Sequence, residues 1–425
     1  MRVLFLGINY APERSGVAPF TTGLCEHLAN QGHDVVVVTT FPHYPEWRVW
    51  DGYRGSFYRK NSANGVSVHR VWHFVPRRPS SLVQRLVYDL SFTTSAFLAA
   101  LFTRKCDVIY CSCPPLEVAF AAYVLARIRR VPYVIKLTDL ASDAALATGI
   151  LEDGLAARLA RALERFVYEK AGAIICLCQG FVDKLTERGV PPGKLHLIPD
   201  WGDTQNIRPL EQEDGFRRAN GFSAEQFLVL HTGNMGKKQD LMNVVRAAEL
   251  SKNDPKLVWL LVGQGEERPV LENEISRRKL TNIRILPFQP RESLSEMYSA
   301  ADVLLLNQRA TVKDTVIPSK LLTYMAAGRV LVAAVSDESE AARQIGRAKC
   351  GLLVPAEDPE ALVAAALKLR RDPTLRREFG ASGRAYVEEH FTKQKVLQEY
   401  DKFFSRLTAP KKADVFASKK AAAAE

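Results

Sequence analysis

The sequence predicts an α/β protein with two doubly wound, Rossmann-like halves. Uninterrupted apolar runs alternate with amphipathic segments along most of the 425 residues, and this alternation stops once before it resumes. Such a pattern is typical of parallel sheets that are covered by helices on both faces. The length suits two or three domains. A composition of 47% hydrophobic and 25% charged residues excludes collagen-like, disordered and multi-span membrane chains.

The first half is expected to form an N-terminal domain, residues 1–200. Its predicted strands are 3–8, 35–40, 66–71, 108–111, 133–137, 173–177 and 195–198. Helical patterns lie between most of them, at 20–30, 116–129 and 155–171. Because strands and helices alternate, we expect the strands to run parallel.

Residues 201–226 are predicted to link the halves, since prolines, glycines and polar residues replace the periodic pattern there. The second half, 227–385, has strands predicted at 227–231, 257–262, 283–286, 303–306, 330–335 and 352–354. Residues 386–407 continue as helix, and we expect this helix to pack back on the N-terminal domain. The Ala- and Lys-rich residues 408–425 lack a core pattern and are expected to be disordered.

Seven cysteines occur in the chain, and most lie beside or inside apolar runs. Cys111 and Cys113, like Cys176 and Cys178, fall in predicted strands, where alternate residues share a face. A four-cysteine metal site is one interpretation, but zinc ligands usually have two or more residues between them. Small buried hydrophobic residues are the better interpretation. Residues 1–7 are too short for a secretory signal, so we expect a cytoplasmic location.

Residues 81–102 form a long apolar segment that Gln84, Arg85 and Asp89 interrupt. It could be a largely buried domain helix, a helix in the plane of a membrane surface, or a membrane span. The interrupting polar residues disfavour the span. The chain has 58 Lys and Arg against 47 Asp and Glu, a net charge of +11. This surplus favours polyanionic partners or an anionic membrane face.

Two loops suit a phosphate or sugar ligand. Each follows the carboxyl end of the first predicted strand of its half. Residues 9–17 contain Gly16, where the missing Cβ lets a ligand approach the backbone. Plain turn chemistry is an equal alternative there. Residues 231–240 combine two glycines with Lys237 and Lys238 at a helix start, and this combination favours an anion over a solvated turn.

A third segment, 313–328, contains another helix start. Ser319 suits the beginning of the helix, and Lys320 falls in its first turn. A cation there opposes the helix dipole unless an anion is bound. Two positive helix starts in one half therefore suggest that this half binds a diphosphate.

Taken together, these segments resemble the retaining glycosyltransferases of family 4, which have the two-domain GT-B fold. Within that family the chain is most similar to the colanic-acid and O-antigen or capsule type (WcaI/WbuB-like). The resemblance covers about residues 1–407. Its carriers are Asn-Tyr-Ala-Pro at 9–12 with Gly16, Gly-His-Asp-Val at 32–35, Phe-Pro-His-Tyr-Pro at 41–45, Gly-Asn-Met-Gly-Lys-Lys-Gln at 233–239, and the segments 318–328 and 351–355. The family implies two Rossmann-like domains that face a central cleft.

The resemblance implies a nucleotide-sugar donor in the C-terminal domain, an acceptor in the N-terminal domain and no cofactor. The implied donor-binding residues are Gly16, Asn234, Gly236, Lys237, Lys238, Gln239, Phe288, Ser319, Lys320 and Thr323. The lysines and the helix start would neutralise charge that accumulates on the leaving nucleoside diphosphate. His43 and Tyr44 are expected to contact the acceptor, with packing of a surface loop as an equal alternative.

The sequence departs from the wider family in two places. A pair of glutamates separated by seven residues corresponds here to Thr315 and Thr323, although Asp314 could replace the first. No histidine follows the fourth strand of the first domain, where the sequence reads Tyr-Cys-Ser-Cys-Pro-Pro at 110–115. The colanic-acid subgroup shares both departures, so we interpret them as specialisation rather than loss of activity.

Candidate acid/base residues are few. Asp139 follows a predicted strand, where it could orient or deprotonate an acceptor hydroxyl, or cap a helix. Glu13 could bind sugar hydroxyls, and Asp143 is a weaker candidate. Retaining transfer without a nucleophile can proceed by front-face attack, in which the departing phosphate takes the acceptor proton.

The sequence therefore predicts a metal-independent glycosyltransferase. A UDP-sugar is the first choice of donor, and a GDP-sugar is the second. The expected acceptor is a lipid-linked or other saccharide. Residues 81–102 would place the enzyme at the inner face of the plasma membrane. A nucleotide-sugar epimerase or hydrolase of the same fold stays open, as does a non-catalytic binding module. The aromatic loop 41–50 argues against the first, and the retained lysines argue against the second. Nucleic acid is not an expected partner, because no basic stripe with interleaved aromatic residues occurs.

Overall fold

A computed structural model describes residues 1–14, 16–79, 81–140, 154–210, 215–312 and 320–408. Within these ranges the chain forms two sheets of mainly parallel strands, each with hydrophobic clusters on both faces. The prediction of two doubly wound domains is therefore confirmed. Strands such as Ala173–Cys176, in which every residue is apolar and buried, are the physical reason that the pattern is informative.

The N-terminal sheet contains eight of the described strands. They are β1 Arg2–Leu6, β2 Asp34–Thr40, β3 Tyr58–Ala63, β4 Val66–Val71, β5 Val108–Cys113, β6 Tyr133–Leu137, β7 Ala173–Cys176 and β8 Leu195–Leu197. Their order is β3-β4-β2-β1-β5-β6-β7-β8, and all neighbours are parallel except β3 and β4. Strand order reverses between β1 and β5, so a crevice for ligands is expected at the carboxyl ends of these two strands.

Strand β3 is not expected from the sequence, because its six residues show no apolar alternation. All of them are exposed, and the strand lies at the edge of the sheet. It pairs antiparallel with β4, with Tyr58 opposite Val71. Charged side chains on its open edge, here Arg59 and Lys60, discourage pairing with another chain.

Helices cover both faces of this sheet: α1 Ala18–Asn30, α2 Leu82–Leu101, α3 Leu116–Arg129, α4 Leu155–Lys170 and α5 Gln179–Glu187. Helix α2 packs against α3, and α3 packs against α4. Their inner side chains form one core with Ile109, Ile135 and Ile174 of the sheet. The three helices therefore form one layer of the domain.

Helix α2 buries a narrow stripe and leaves a broad apolar face open. Its buried residues are Tyr88, Phe92, Ala96 and Ala100. Its exposed large apolar residues are Leu82, Val83, Leu86, Val87, Leu90, Leu98 and Leu101. The helix is thus not the largely buried element that one interpretation of residues 81–102 expects. Among the described helices, none combines the length and apolarity needed to cross a membrane.

The C-terminal sheet consists of parallel strands. They are β9 Phe227–Asn234, β10 Leu257–Gln264, β11 Ile283–Leu286, β12 Val303–Asn307, β13 Leu331–Ala334 and β14 Gly351–Val354, in the order β11-β10-β9-β12-β13-β14. The associated helices are α6 Gly215–Ala219, α7 Met242–Leu250, α8 Arg268–Arg277, α9 Leu294–Ala300, α10 Lys320–Ala326, α11 Glu340–Ala348 and α12 Pro359–Arg371. Strand order reverses between β9 and β12, which marks the ligand crevice of this domain.

The second part of the expected linker, 201–226, belongs to the C-terminal domain. Helix α6 inserts Phe216 into the core of that domain, and Phe222 follows it there. Arg217 is buried as well, with its Nη2 2.8 Å from Asp302 Oδ2 and its Nε donating to a backbone carbonyl. The polar composition of this segment predicts a linker, although these three residues fix it to the C-terminal domain.

Two long helices end the described chain, α13 Pro373–His390 and α14 Lys393–Thr408. Helix α13 places Val387 in the core of the C-terminal domain. Helix α14 instead crosses to the N-terminal domain. There its buried side chains join the core on the face opposite α2: Val396, Leu397, Tyr400, Phe403 and Phe404. Residues 409–425, which include the expected tail, lie outside the described residues.

All seven cysteines are buried. Burial raises the pKa of Cys111 and Cys113, so their thiols stay protonated and behave as small apolar groups. Within the part of the chain that the structure describes, no three His, Cys, Asp or Glu side chains are grouped so that they could hold a metal ion.

Candidate functional site

The carboxyl edges of the two sheets face each other across a cleft. Arg14 Nη1, in the loop after β1, lies 3.9 Å from Glu292 Oε1 of the C-terminal domain. The positive charge of Lys238, after β9, acts on Asp139, which follows β6. The cleft therefore brings together loops from both predicted crevices.

The loop after β1 is organised around the buried carboxylate of Glu13. Its Oε1 accepts hydrogen bonds from the backbone N–H groups of His43 and Tyr44, both at 2.8 Å. Its Oε2 accepts one from Asn9 Nδ2 at 2.9 Å. Oε1 thus joins the loop after β1 to the loop after β2, and Oε2 braces the loop after β1 itself. This geometry makes Glu13 a positioning residue and does not favour the expected contact with a sugar hydroxyl.

The ring of His43 has no exposed surface. Its Nδ1 lies 2.9 Å from the carbonyl oxygen of Phe41, and its Nε2 lies 2.9 Å from the hydroxyl of Tyr88 on α2. Burial lowers the pKa of His43, so the ring is neutral. Direct stacking of His43 on an acceptor sugar, as the sequence suggests, does not fit this position. The ring instead supports the loop after β2 from within the domain, through its hydrogen bonds to Phe41 and Tyr88.

Gly16 and Tyr44 lie together at the surface of the cleft. Gly16 has a φ of 62°, in the left-handed region, and a Cβ there would lie 3.5 Å from Tyr44 Cε1. The glycine is exposed and the tyrosine half-buried. A ligand can therefore reach the Gly16 backbone beside an aromatic ring.

Asp139 is half-buried on the N-terminal wall of the cleft. Burial raises the pKa of its carboxyl to about 6, and the charge of Lys238 opposes that shift. Lys238 is half-buried too, whereas Lys237 is exposed. The structure thus places an acidic group of one domain where it feels the charge of a cation of the other. Asp143, the weaker candidate, lies outside the described residues.

The loop after β9 is fixed by amide side chains. Gln239 Oε1 accepts from the N–H of Gly236 at 3.1 Å, and a Cβ at Gly236 would lie 2.8 Å from Asn234 Nδ2. Asn307 Nδ2 then donates to the carbonyl oxygens of Gln239 and Asp240, at 2.8 and 2.9 Å. The single turn that carries Lys237 and Lys238 is therefore held firmly at the carboxyl edge of the sheet.

Lys320 lies at the crevice between β9 and β12. Its Nζ is 3.1 Å from Nε2 of the buried His231. A Cβ at Gly233 would lie 3.3 Å from the same Nζ. Burial lowers the pKa of Lys320 to about 7 and that of His231 well below its ordinary value. An anion bound nearby would favour the charged lysine and reverse the effect of burial.

Known families match both domains. The family described as "Glycosyl transferase 4-like domain" matches residues 15–201, and "Glycosyl transferases group 1" matches residues 212–386. The colanic acid biosynthesis glycosyl transferase WcaI of Escherichia coli (strain K12) is 31% identical over 414 residues, which is 94% of this chain and 98% of that protein. The chain belongs to glycosyltransferase family 4.

Solved structures agree with this family in fold. Sucrose-phosphate synthase from Thermosynechococcus elongatus has a TM-score of 0.76 at 18% identity, covering 96% of this chain and 99% of that chain. HepE from Anabaena in complex with UDP-glucose has a TM-score of 0.70 at 16% identity, covering 96% and 100%. This family 4 glycosyltransferase therefore has the two-domain GT-B fold.

Two further donor candidates of the glycosyltransferase are placed by the structure. Phe288 follows β11 and keeps 47% of its surface exposed, so its ring is open to a ligand. Thr323 is half-buried on α10. Ser319, Asp314 and Thr315 lie outside the described residues.

Three residues of the glycosyltransferase site have no role in the sequence prediction. His231 ends an apolar strand run just before the glycines of the loop, and a histidine at that place is the only signal of its contact with Lys320. Asn307 follows an apolar strand in the same way. Tyr88 gives no signal, because its contact with His43 joins positions 45 residues apart.

Proposed function

We propose that this glycosyltransferase moves a sugar, with retention of configuration, from a nucleotide sugar to a lipid-linked saccharide during synthesis of a cell-surface polysaccharide. The observation that carries the proposal is the pair of opposed walls in the cleft. Asp139 stands on the N-terminal wall, and Lys238 and Lys320 stand on the C-terminal wall. The relative WcaI, whose name refers to colanic acid, supports the polysaccharide assignment.

The cations suit the donor. A diphosphate leaving group accumulates negative charge as its bond to the sugar breaks, and preorganised cations stabilise that charge. Lys237, Lys238 and Lys320 lie at the carboxyl edge of one sheet, where ligands of open α/β sheets bind. UDP is the first choice of nucleotide and GDP the second. The UDP-glucose complex of HepE supports this order.

Asp139 suits the acceptor. In a front-face reaction the bond between the anomeric carbon and the leaving oxygen breaks while the acceptor oxygen attaches on the same face. The acceptor proton passes to the departing phosphate, and Asp139 orients the hydroxyl that carries it. We expect Tyr44 to line the approach to this position and Gly16 to lie against the donor sugar or phosphate, while Glu13 and His43 hold the loops that carry them.

Helix α2 suits a lipid-linked acceptor. Its exposed apolar face is flanked by the exposed basic residues Arg77, Arg78, Arg104 and Lys105. An amphipathic surface of this kind lies in the plane of an anionic membrane. We therefore place the enzyme at the inner face of the plasma membrane, bound to the surface through α2.

A thermal-shift panel of UDP, GDP, ADP, TDP and their sugars tests the proposal. Ligand binding to the folded state stabilises by mass action, about 2.7 kcal/mol at 100 times the Kd. We expect one nucleoside diphosphate class to raise the Tm of the wild type, and Lys320→Ala to lose most of the rise. Lys252→Ala, at an exposed lysine away from the cleft, is the matched control.

Product analysis separates the proposal from its alternatives. A transferase releases the nucleoside diphosphate only when an acceptor is supplied, whereas a hydrolase releases it with free sugar in water. Absence of a shift with every nucleotide would contradict the proposal and favour a binding module that has lost its donor site.

A further inference from the structure

Strands β9 and β12 separate where the phosphates of the donor are expected. Their backbone pairing ends at Leu230. One residue further, His231 Nδ1 lies 3.1 Å from the carbonyl oxygen of Leu305, and the N–H of Thr232 donates to the hydroxyl of Tyr324 at 2.8 Å. Side chains thus replace backbone partners, and the strands diverge without leaving these buried polar groups unpaired.

The contacts of His231 define which nitrogen carries the proton. The ring has no exposed surface, and burial keeps it neutral. A carbonyl oxygen can only accept, so Nδ1 carries the proton and donates to Leu305. Nε2 then presents a lone pair, and Lys320 Nζ donates to it at 3.1 Å. The hydrogen bonds therefore run in one direction, from Lys320 through His231 to Leu305.

This arrangement fixes the end of the Lys320 side chain. A lysine ammonium on its flexible stem otherwise samples many rotamers. Here one N–H is held by His231, and within the described ranges no other group takes the remaining N–H groups, which leaves them for an anion in the gap between the strands. Gly233 lies against the same Nζ, and a Cβ at that position would approach it to 3.3 Å. The glycine therefore leaves the space that the amino group occupies.

We propose that His231 is a positioning residue for the donor, which holds the amino group of Lys320 against the diphosphate. His231 itself touches no ligand. The inference rests on the proposed function, in which Lys320 binds the diphosphate of the nucleotide sugar. A histidine that served folding alone would affect every nucleotide equally, whereas a positioning histidine affects the contact with the terminal phosphate selectively.

Two substitutions of His231 separate these roles. His231→Asn can keep a donor at the position of Nδ1 for the carbonyl oxygen of Leu305, but it offers no acceptor at the position of Nε2. His231→Gln can place its amide oxygen near Nε2 and still accept from Lys320. The full-length protein is titrated with UDP and UMP by calorimetry, or with GDP and GMP where GDP gives the larger thermal shift.

We expect His231→Asn to weaken UDP binding about ten-fold, the size of one charged contact, and to leave UMP binding unchanged. His231→Gln should keep most of the preference for UDP over UMP. Equal weakening of both nucleotides, or a preference in His231→Asn like that of the wild type, would overturn the inference. Should His231→Asn not fold, loss of the preference in His231→Gln would still contradict it.

Lys320→Ala distinguishes failure of the inference from failure of the proposed function. If Lys320→Ala binds UDP as tightly as the wild type does, the diphosphate site itself is wrong. If Lys320→Ala loses the UDP preference while His231→Asn retains it, the donor site stands and only the role of His231 fails.

Discussion

Asp139 and Lys320 have pKa values that burial moves toward neutrality from opposite sides. Removal from water disfavours the charged form of each group. It raises the pKa of the carboxyl to about 6 and lowers the pKa of the ammonium to about 7. Catalytic and binding groups often show such shifts, because the same cleft that desolvates them also excludes water from the reaction. At the residue scale, we therefore expect the site to be sensitive to pH near neutrality.

The pH dependence of kcat/KM should be bell-shaped. As pH falls through about 6, Asp139 gains a proton and loses the charge that orients the acceptor hydroxyl. As pH rises through about 7, Lys320 loses the charge that attracts the free donor. With bound donor the phosphates favour the ammonium, so the alkaline limb of kcat should lie at higher pH. Initial rates from pH 5 to 9 check this, and a flat profile would contradict it.

Asp139→Asn is the control for the acid limb of this profile. It should lower turnover by about 10²-fold, the cost of a misplaced reacting group, while the donor still binds. The folded-state pKa of Asp139 lies above that of the unfolded chain, so the carboxylate costs stability at pH 8. At pH 8 the free energy of unfolding of Asp139→Asn should accordingly exceed that of the wild type by on the order of 1 kcal/mol.

At the element scale, α2 joins the molecular surface to the N-terminal wall of the cleft. Its outer face is apolar, and Tyr88 on its inner face contacts His43 in the loop after β2. The fold of the N-terminal domain uses only the inner stripe of this helix. Substitutions on the outer face should therefore affect surface binding without disturbing the core.

Leu86→Glu combined with Leu90→Glu should release the protein from anionic liposomes in a sedimentation assay. Both leucines are about half exposed, so the glutamates need not be buried, and a negative charge there opposes an anionic surface. Leu250→Glu, at a leucine 53% exposed in the C-terminal domain, is the matched control. Sedimentation of the double variant like the wild type would remove α2 as the binding surface, and donor binding should be unchanged in all variants.

Most of the fold could be predicted because buried parallel strands are continuous apolar runs. Strand β6 and helix α3 begin and end where the sequence indicates. Strand β3 could not be predicted, since an exposed edge strand needs no apolar residues. Arg217 and its neighbours in α6 were expected in a linker, because a polar residue anchored by an ion pair has the same local signal as a solvated one.

The candidate site could be predicted only in part. Glycines and lysines in the loop after β9 are informative because they are local in sequence. The support of Lys320 by His231 joins residues 89 positions apart, and that of Glu13 for Tyr44 joins residues 31 apart. Such pairs depend on which strands become neighbours, so only the three-dimensional structure shows them.

At the scale of the whole molecule, α14 makes the N-terminal domain depend on a segment that follows the C-terminal domain in the sequence. Its aromatic side chains Tyr400, Phe403 and Phe404 are buried against the α1 face of that domain, and the Tyr400 hydroxyl lies 3.3 Å from that of Tyr110. The chain thus crosses between the domains twice, once after β8 and once before α14.

Phe404→Ala should destabilise the N-terminal domain by about 3–5 kcal/mol, because it leaves a cavity in a close-packed core. Hydrogen exchange should show the loss in β1 and β5, while β9 and β12 keep their protection. Lys402→Ala, on the exposed face of the same helix, serves as the control. Equal loss of protection in both sheets would show that the two domains unfold as one unit.

The crossing of α14 also bears on the order in which the protein can fold during its synthesis. Domains commonly fold as they leave the ribosome, with the first one complete before the next is made. Here the N-terminal domain lacks Tyr400 and Phe404 until translation has passed the C-terminal domain, whereas the C-terminal domain has its core once α13 has emerged. The later domain can therefore be finished first, and the earlier one must wait with an apolar face uncovered until α14 has been made.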